Sequence, residues 1–249
     1  MKKSEFKSMW EDMQEEGYFS KHPHYSDHFG DAPSPDELEL DRLMLELDFT
    51  KPEITMPVPY SDSLERSVKR TESVWLYKMF DLPATGIALD VGCGFGRSVR
   101  WMAQQYNQVI GTDISENVIT IAKQNCQDFE NVTFYTNDSN SIPVGIEISS
   151  IDVAYIFTVF QHIPREFTVD ILSSIKNVLK ANGKVVFNLL SNINEDLNTG
   201  TENTEWAIGY SEEQAAELLV QSGLCLDKIV SWSRPETQVR WLWVSGYVD

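Results

Sequence analysis

Along the chain the spacing of apolar residues changes character near residue 85. From Ile87 onward, short apolar runs alternate with segments whose apolar residues recur at helical spacing. That alternation predicts an α/β fold with a largely parallel sheet. The runs Ile87–Val91, Gln108–Thr112, Val132–Thr136, Ile151–Phe157 and Lys184–Leu190 read as strands. Helices are predicted from Gly96 to Gln105, from Glu116 to Asn125 and from Arg165 to Lys180. The last carries Phe167, Ile171, Leu172, Ile175 and Leu179 on one face, with Asn182-Gly183 as its expected stop. Ser211 and Gln214 form a capping box for a helix reaching Ser222. Leu226–Trp232 and Gln238–Val248 then read as a terminal hairpin.

The first 85 residues are rich in acid, proline and histidine and show no strong strand signal. Two helices are expected there. Ser34-Pro35-Asp36-Glu37 reads as an N-cap, a proline at the first helical position and a capping-box acid. Leu40, Leu43, Met44 and Leu47 follow at helical spacing. A loop with three prolines, Lys51 to Ser61, leads to a second helix from about Ser63 to Phe80. The division expected is an extension or lid over 1–62 and a second unit over 63–249.

Charge narrows the partners. The 249 residues carry a formal net charge of −18, and their lysines and arginines are scattered. A polyanion would need a basic stripe, so nucleic acid is not expected as substrate. No apolar run approaches the roughly 20 residues that span a bilayer, and the start lacks the apolar stretch of a secretory signal. A cytoplasmic chain working on a small molecule, as a monomer or homodimer, is the expectation. Cys93, Cys126 and Cys225 are far apart and form no CxxC pair, so neither disulfide nor metal is expected from them.

The chemistry gathers at Leu89-Asp90-Val91-Gly92-Cys93-Gly94-Phe95-Gly96. A glycine-rich turn straight after a first strand lets a ligand approach the backbone, and the following helix presents its free N–H groups there. A dinucleotide site wants G-x-G-x-x-G, but Arg97 occupies the place of its third glycine. Asp113 ends the second strand. A carboxylate there can accept two hydroxyls at once, or it can cap the next helix.

These residues resemble the first motif of the class I S-adenosylmethionine-dependent methyltransferases. The resemblance covers roughly residues 63 to 249. It implies a Rossmann-like sheet of seven strands, ordered 3-2-1-4-5-7-6, with the last strand antiparallel and helices on both faces. It implies S-adenosylmethionine as cofactor. Asp90, Gly92, Cys93, Gly94 and Gly96 would surround its methionine part, Asp90 either touching ligand or orienting the loop. Asp113 would take the ribose hydroxyls, and Ile114 would pack on the adenine. Asn137-Asp138-Ser139 resembles the adenine-contacting motif, with Asp138 and Ser139 the candidate contacts. Phe157-Thr158-Val159-Phe160-Gln161-His162 resembles the motif that lines the methyl-transfer site. The resemblance also offers Arg70, or Arg66, as partner of the cofactor's carboxylate, against a plain solvated helix face.

The implied reaction is methyl transfer to a small molecule, with oxygen or nitrogen favoured over carbon as acceptor atom. A non-catalytic S-adenosylmethionine-binding regulator is the alternative. His162 is the candidate general base, since an imidazole titrates in the working range; a loop-orienting role is its alternative. His22, His24 and His28 match no metal pattern, and no metal is expected. Trp101, Trp241 and Trp243 read as packing residues. The polar segment from Ser191 to Tyr210 opens at the ligand edge, where Trp206, Tyr210 and Asn188 are candidate pocket walls.

Overall fold

The computed structural model describes residues 7, 8, 11, 12, 32–137, 141–192, 209–234 and 239–249. His22, His24, His28, Asp138, Ser139 and Trp206 lie outside the described residues. The elements in chain order are α1 (Pro35–Glu46), β1 (Glu53–Thr55), α2 (Asp62–Phe80), β2 (Ile87–Val91), α3 (Arg97–Ala103), β3 (Gln108–Asp113), α4 (Glu116–Asn125), β4 (Val132–Thr136), β5 (Ile151–Ile156), a 3₁₀ turn (Phe160–His162), α5 (Arg165–Val178), β6 (Leu179–Asn192), α6 (Glu212–Gln221), β7 (Cys225–Ser233) and β8 (Val239–Tyr247).

The sheet runs β1-β7-β8-β6-β5-β2-β3-β4. Without β1 this is the expected seven-strand order, and β8 is the strand antiparallel to both neighbours. The eighth strand is a departure. Glu53–Thr55 lies in the proline-rich stretch expected to be loop, and it pairs parallel with β7. Proline is tolerated beside an edge strand because the edge needs no inward donor on that side. Pro52 still offers its carbonyl to the Ser231 N–H at 2.7 Å, and the Met56 N–H donates to the Ser233 carbonyl at 3.0 Å.

Strand alternation assigns two cores to the two faces. Leu89, Val91, Ala154, Ile156, Val185, Phe187, Leu189, Leu242 and Val244 turn one way, onto α5 and α6. Ala88, Val153, Tyr155, Phe157, Val186, Val230, Trp232 and Trp243 turn the other way, onto α2, α3 and α4. Trp75 of α2 anchors that second face. It is fully buried, and its ring lies 4.7 Å from Trp232 and 4.8 Å from Trp243.

Both capping boxes form as the sequence predicts, at Ser34/Glu37 and Ser211/Gln214. The end of α5 differs. The helix stops at Val178, and Leu179 already pairs with Ile151 in the sheet. Asn182-Gly183 therefore caps no helix. Asn182 sits at φ 62 inside β6, where its N–H donates to the Val248 carbonyl. Sheet pairing overrides the helical spacing that ran on to Lys180.

Candidate functional site

The parallel strands β2, β3, β4, β5 and β6 end along one edge, where ligands of open α/β sheets bind. The glycine turn after β2 is held down from β3. The Gly92 and Cys93 N–H groups both donate to the Thr112 carbonyl, at 2.8 and 2.9 Å. The Gly94 N–H donates to Asp113 Oδ2 at 3.1 Å, and the Ser115 N–H donates to Oδ1 at 3.1 Å. Asp113 thus shapes the loop as well as standing beside it. Burial pushes its carboxyl up, against the pull of the Ser115, Gly94 and Ile114 N–H groups.

Two glycines are required for different reasons. A Cβ on Gly92, at φ 74, would lie 2.4 Å from a methyl of Val159. Gly94, at φ 52, would point its Cβ into open space. The turn therefore packs on one side and leaves backbone uncovered on the other. Cys93 is buried, and burial pushes its thiol up. Gly96 is the N-cap of α3 and comes close to Cys126 of α4.

Asp90 turns to the α2 side of the sheet. It is 3% exposed, and its Oδ2 has no hydrogen-bond partner among the described residues. Burial is the main cause of a carboxyl pushed up to about 7; Arg97 pulls it down, while Glu72 and Asp113 push it further up. Beyond β4, Asn137 Oδ1 is likewise buried without a partner among the described residues, while its N–H donates to the Asp113 carbonyl at 2.9 Å. Ile114 is partly buried at the rim of the core.

Next to this edge is a cavity of about 720 Å³, including its open mouth. Leu64, Glu65, Val68, Lys69 and Glu72 of α2 form one wall. Trp232, Trp241 and Trp243 form the opposite one, and Arg97, Phe157, Thr158 and Asn188 close the end toward the glycine turn. Trp241 and Trp243 are thus cavity walls as well as packing residues. Both faces of the arrangement follow from register: Asn188 lies opposite Trp243, and Trp232 opposite Trp241.

Several expected residues are placed elsewhere. Arg70 forms a two-pronged pair with Asp41, both contacts at 3.0 Å, and Arg66 pairs with Glu37 at 2.5 Å. Both face α1, and neither lines the cavity. Their acidic partners lie on α1, which sequence spacing alone could not bring against α2. Tyr210 is buried on the opposite face of the sheet, against Thr168 and under the Arg165 guanidinium. His162 ends the 3₁₀ turn, partly buried, and is not among the cavity walls. Phe157 is among the cavity walls.

The sequence reading missed Glu72. It is buried and accepts from Arg97 Nη1 at 2.6 Å, from Arg97 Nη2 at 3.3 Å and from the Trp101 indole at 3.0 Å. Its signal was an acid at a core-facing position of an amphipathic helix, one turn before Trp75. Arg97, read only as a missing glycine, is its partner.

Residues 88–183 match the family model described as a methyltransferase domain. A demethylmenaquinone methyltransferase of Oceanobacillus iheyensis is 34% identical over 112 residues, which cover 44% of this chain and 46% of that protein. The chain thus spans less than half the length of the curated relatives it matches. Among solved structures, Haemonchus contortus phosphoethanolamine N-methyltransferase 2, in complex with S-adenosyl-L-methionine, superposes with a TM-score of 0.59 at 18% identity, over 72% of this chain and 52% of that one. An S-adenosylmethionine-dependent methyltransferase from Mesorhizobium loti gives 0.55 at 20% identity, over 67% of this chain and 94% of that one. At such identities the superpositions speak for the fold.

Proposed function

We propose that this chain, which has the class I S-adenosylmethionine-dependent methyltransferase fold, binds S-adenosylmethionine across the ends of β2, β3 and β4 and transfers its methyl group to a small molecule in the adjoining cavity. The observation that carries this reading is the row of acceptors along that edge. Asp90 Oδ2 suits the ligand's ammonium, the Asp113 carboxylate suits the ribose hydroxyls, and Asn137 Oδ1 suits the adenine amino group. The uncovered backbone at Gly94 leaves room for the ligand between them. Asp138 and Ser139 follow Asn137 and belong to the same proposed adenine contact, with Ile114 beside it.

S-adenosylmethionine supplies an electrophilic methyl on a sulfonium. Positive charge disperses as the methyl leaves, so the protein's part is to align the acceptor and exclude water. Phe157, Trp232, Trp241 and Trp243 supply dry walls for an apolar, planar acceptor. That suits the relative whose name specifies demethylmenaquinone, and it suits a small molecule better than a polynucleotide. An open cavity beside the cofactor edge favours an enzyme over a non-catalytic binder. Should the acceptor be a hydroxyl, a base is needed within hydrogen-bond reach of it; His162, the candidate from the sequence, is not among the cavity walls. We assign the cofactor's carboxylate to Arg97, which lines the cavity, rather than to Arg70, which pairs with Asp41 on α1. No described helix is long and apolar enough to cross a membrane; a cytoplasmic monomer or homodimer fits this reading.

Calorimetric titration with S-adenosylhomocysteine tests the proposal. One molecule is expected to bind per chain; binding of NAD in its place overturns it. The same titration reads Asp90. Its carboxyl, pushed up to about 7, is partly protonated at neutral pH, and an ammonium beside Oδ2 would pull it down. Binding at pH 7 is therefore expected to release a fraction of a proton, seen as an enthalpy that varies with the buffer's ionisation enthalpy. Asp90→Asn should abolish that variation. The sign for the free protein is the reverse: a carboxyl raised from 3.8 favours the fold most below about pH 4, and its contribution is lost as pH rises through about 7.

A further inference from the structure

The geometry points to Asn188 as the residue that selects the methyl acceptor: its amide nitrogen donates to an oxygen carried beside a planar apolar group. This rests on the methyltransferase reading of the cavity.

The chain leaves β5 through Phe157 and turns at Thr158, whose φ is 57. A β-branched residue is strained in the left-handed region and persists there only when its surroundings over-determine it. Two contacts do so. Asn188 Oδ1, on β6, accepts the Thr158 N–H at 2.7 Å. Val159 then docks against Gly92, where no side chain leaves it room.

The first contact also fixes the amide itself. A backbone N–H can only donate, so the amide's oxygen must face Thr158. The group left for the cavity is Nδ2, a donor with no acceptor capacity. It has no hydrogen-bond partner among the described residues. Asn188 is 3% exposed and lines the cavity, so a donor without a partner among the described residues is presented from a wall that also carries Phe157 and Trp243.

The remaining polar walls agree in sign. Glu72 is bound by Arg97 at 2.6 Å, and Glu65 is paired with Arg234 at 3.5 Å. Both cavity carboxylates are thus engaged by cations, and Lys69 adds a third cationic side chain to the lining. A carbonyl or hydroxyl oxygen satisfies Nδ2; a protonated amine would face donors and arginines. Once a ligand has displaced water from the cavity, a donor left unmatched is what gives such a contact its discrimination.

The test uses two planar probes, 2-acetonaphthone and 2-(aminomethyl)naphthalene, with tryptophan fluorescence as readout and S-adenosylhomocysteine saturating. The wild-type protein should bind the ketone at least tenfold more tightly than the ammonium. Asn188→Asp keeps an oxygen for the Thr158 N–H but turns an acceptor to the cavity, so the order should reverse while the thermal midpoint stays near that of the wild type. Asn188→Ala should bring the ratio close to one. The same order in wild type and Asn188→Asp, or binding of neither probe to wild type, overturns the proposal. The series is repeated without S-adenosylhomocysteine. Should that ligand itself fail to bind, the methyltransferase reading falls, and the probe order still decides the role of Asn188.

Discussion

Asp113→Ala is expected to weaken S-adenosylhomocysteine binding about 100-fold or more. The carboxylate is the proposed acceptor of both ribose hydroxyls, and hydrogen bonds to a charged group contribute about 1.5–3 kcal/mol each. Two of them correspond to at least two factors of ten. The same side chain holds the Gly94 N–H from one oxygen and the Ser115 N–H from the other. Its removal therefore loosens the turn as well as deleting contacts. Asp113→Asn removes the charge but keeps one of the two turn contacts, its amide nitrogen facing the other N–H. It should bind with an intermediate loss. Calorimetry on both variants checks this; an unchanged affinity in Asp113→Ala would remove the residue from the site.

Glu72→Ala should lower the stability of the free protein by about 1–3 kcal/mol, the cost of leaving polar partners unmatched, since Arg97 is 30% exposed and keeps access to water. The loss leaves Arg97 beside Asp90 without its main counter-charge, and it leaves the Trp101 indole without its acceptor. Urea unfolding followed by tryptophan fluorescence measures the difference. The double variant Glu72→Ala/Arg97→Met should recover part of it, since both charges are then absent. A change below about 0.5 kcal/mol would mean that the pair does not tie α2 to the glycine turn.

Most of the fold is legible in the sequence because its strands and helices obey local periodicity. The strands from Ile87 to Val91 and from Val132 to Thr136 fall where the pattern puts them, and so does the helix from Glu116 to Asn125. The motif order also predicts the seven-strand arrangement. What the pattern misses is set by partners distant in sequence. β1 has only three residues between prolines, and it is a strand only because β7 offers its edge. Helical spacing carries α5 past Val178, but Ile151 pairs with Leu179 and ends it.

The candidate site divides in the same way. Asp90, the three glycines, Asp113 and Phe157 are legible because the turn brings together residues near in sequence or fixed by strand order. Arg70 is misplaced because its acid, Asp41, lies 29 residues earlier on a separate helix. Tyr210 is misassigned because a residue at the ligand edge can turn to either face of the sheet, and periodicity in a short link does not say which. Glu72 and the tryptophan wall come from α2, β7 and β8 and meet only in three dimensions.

The short strand β1 has a consequence for anyone who trims this protein. Truncation at residue 62 would strip the cover from the Ser231–Ser233 end of β7 and leave its backbone donors and acceptors there, with Trp232 among them, open to another chain. Exposed strands of that kind template intermolecular pairing. A trimmed protein should therefore self-associate, even where its remaining sheet is well formed. Glu53–Thr55 would then serve as a stopper at that end of the sheet's edge.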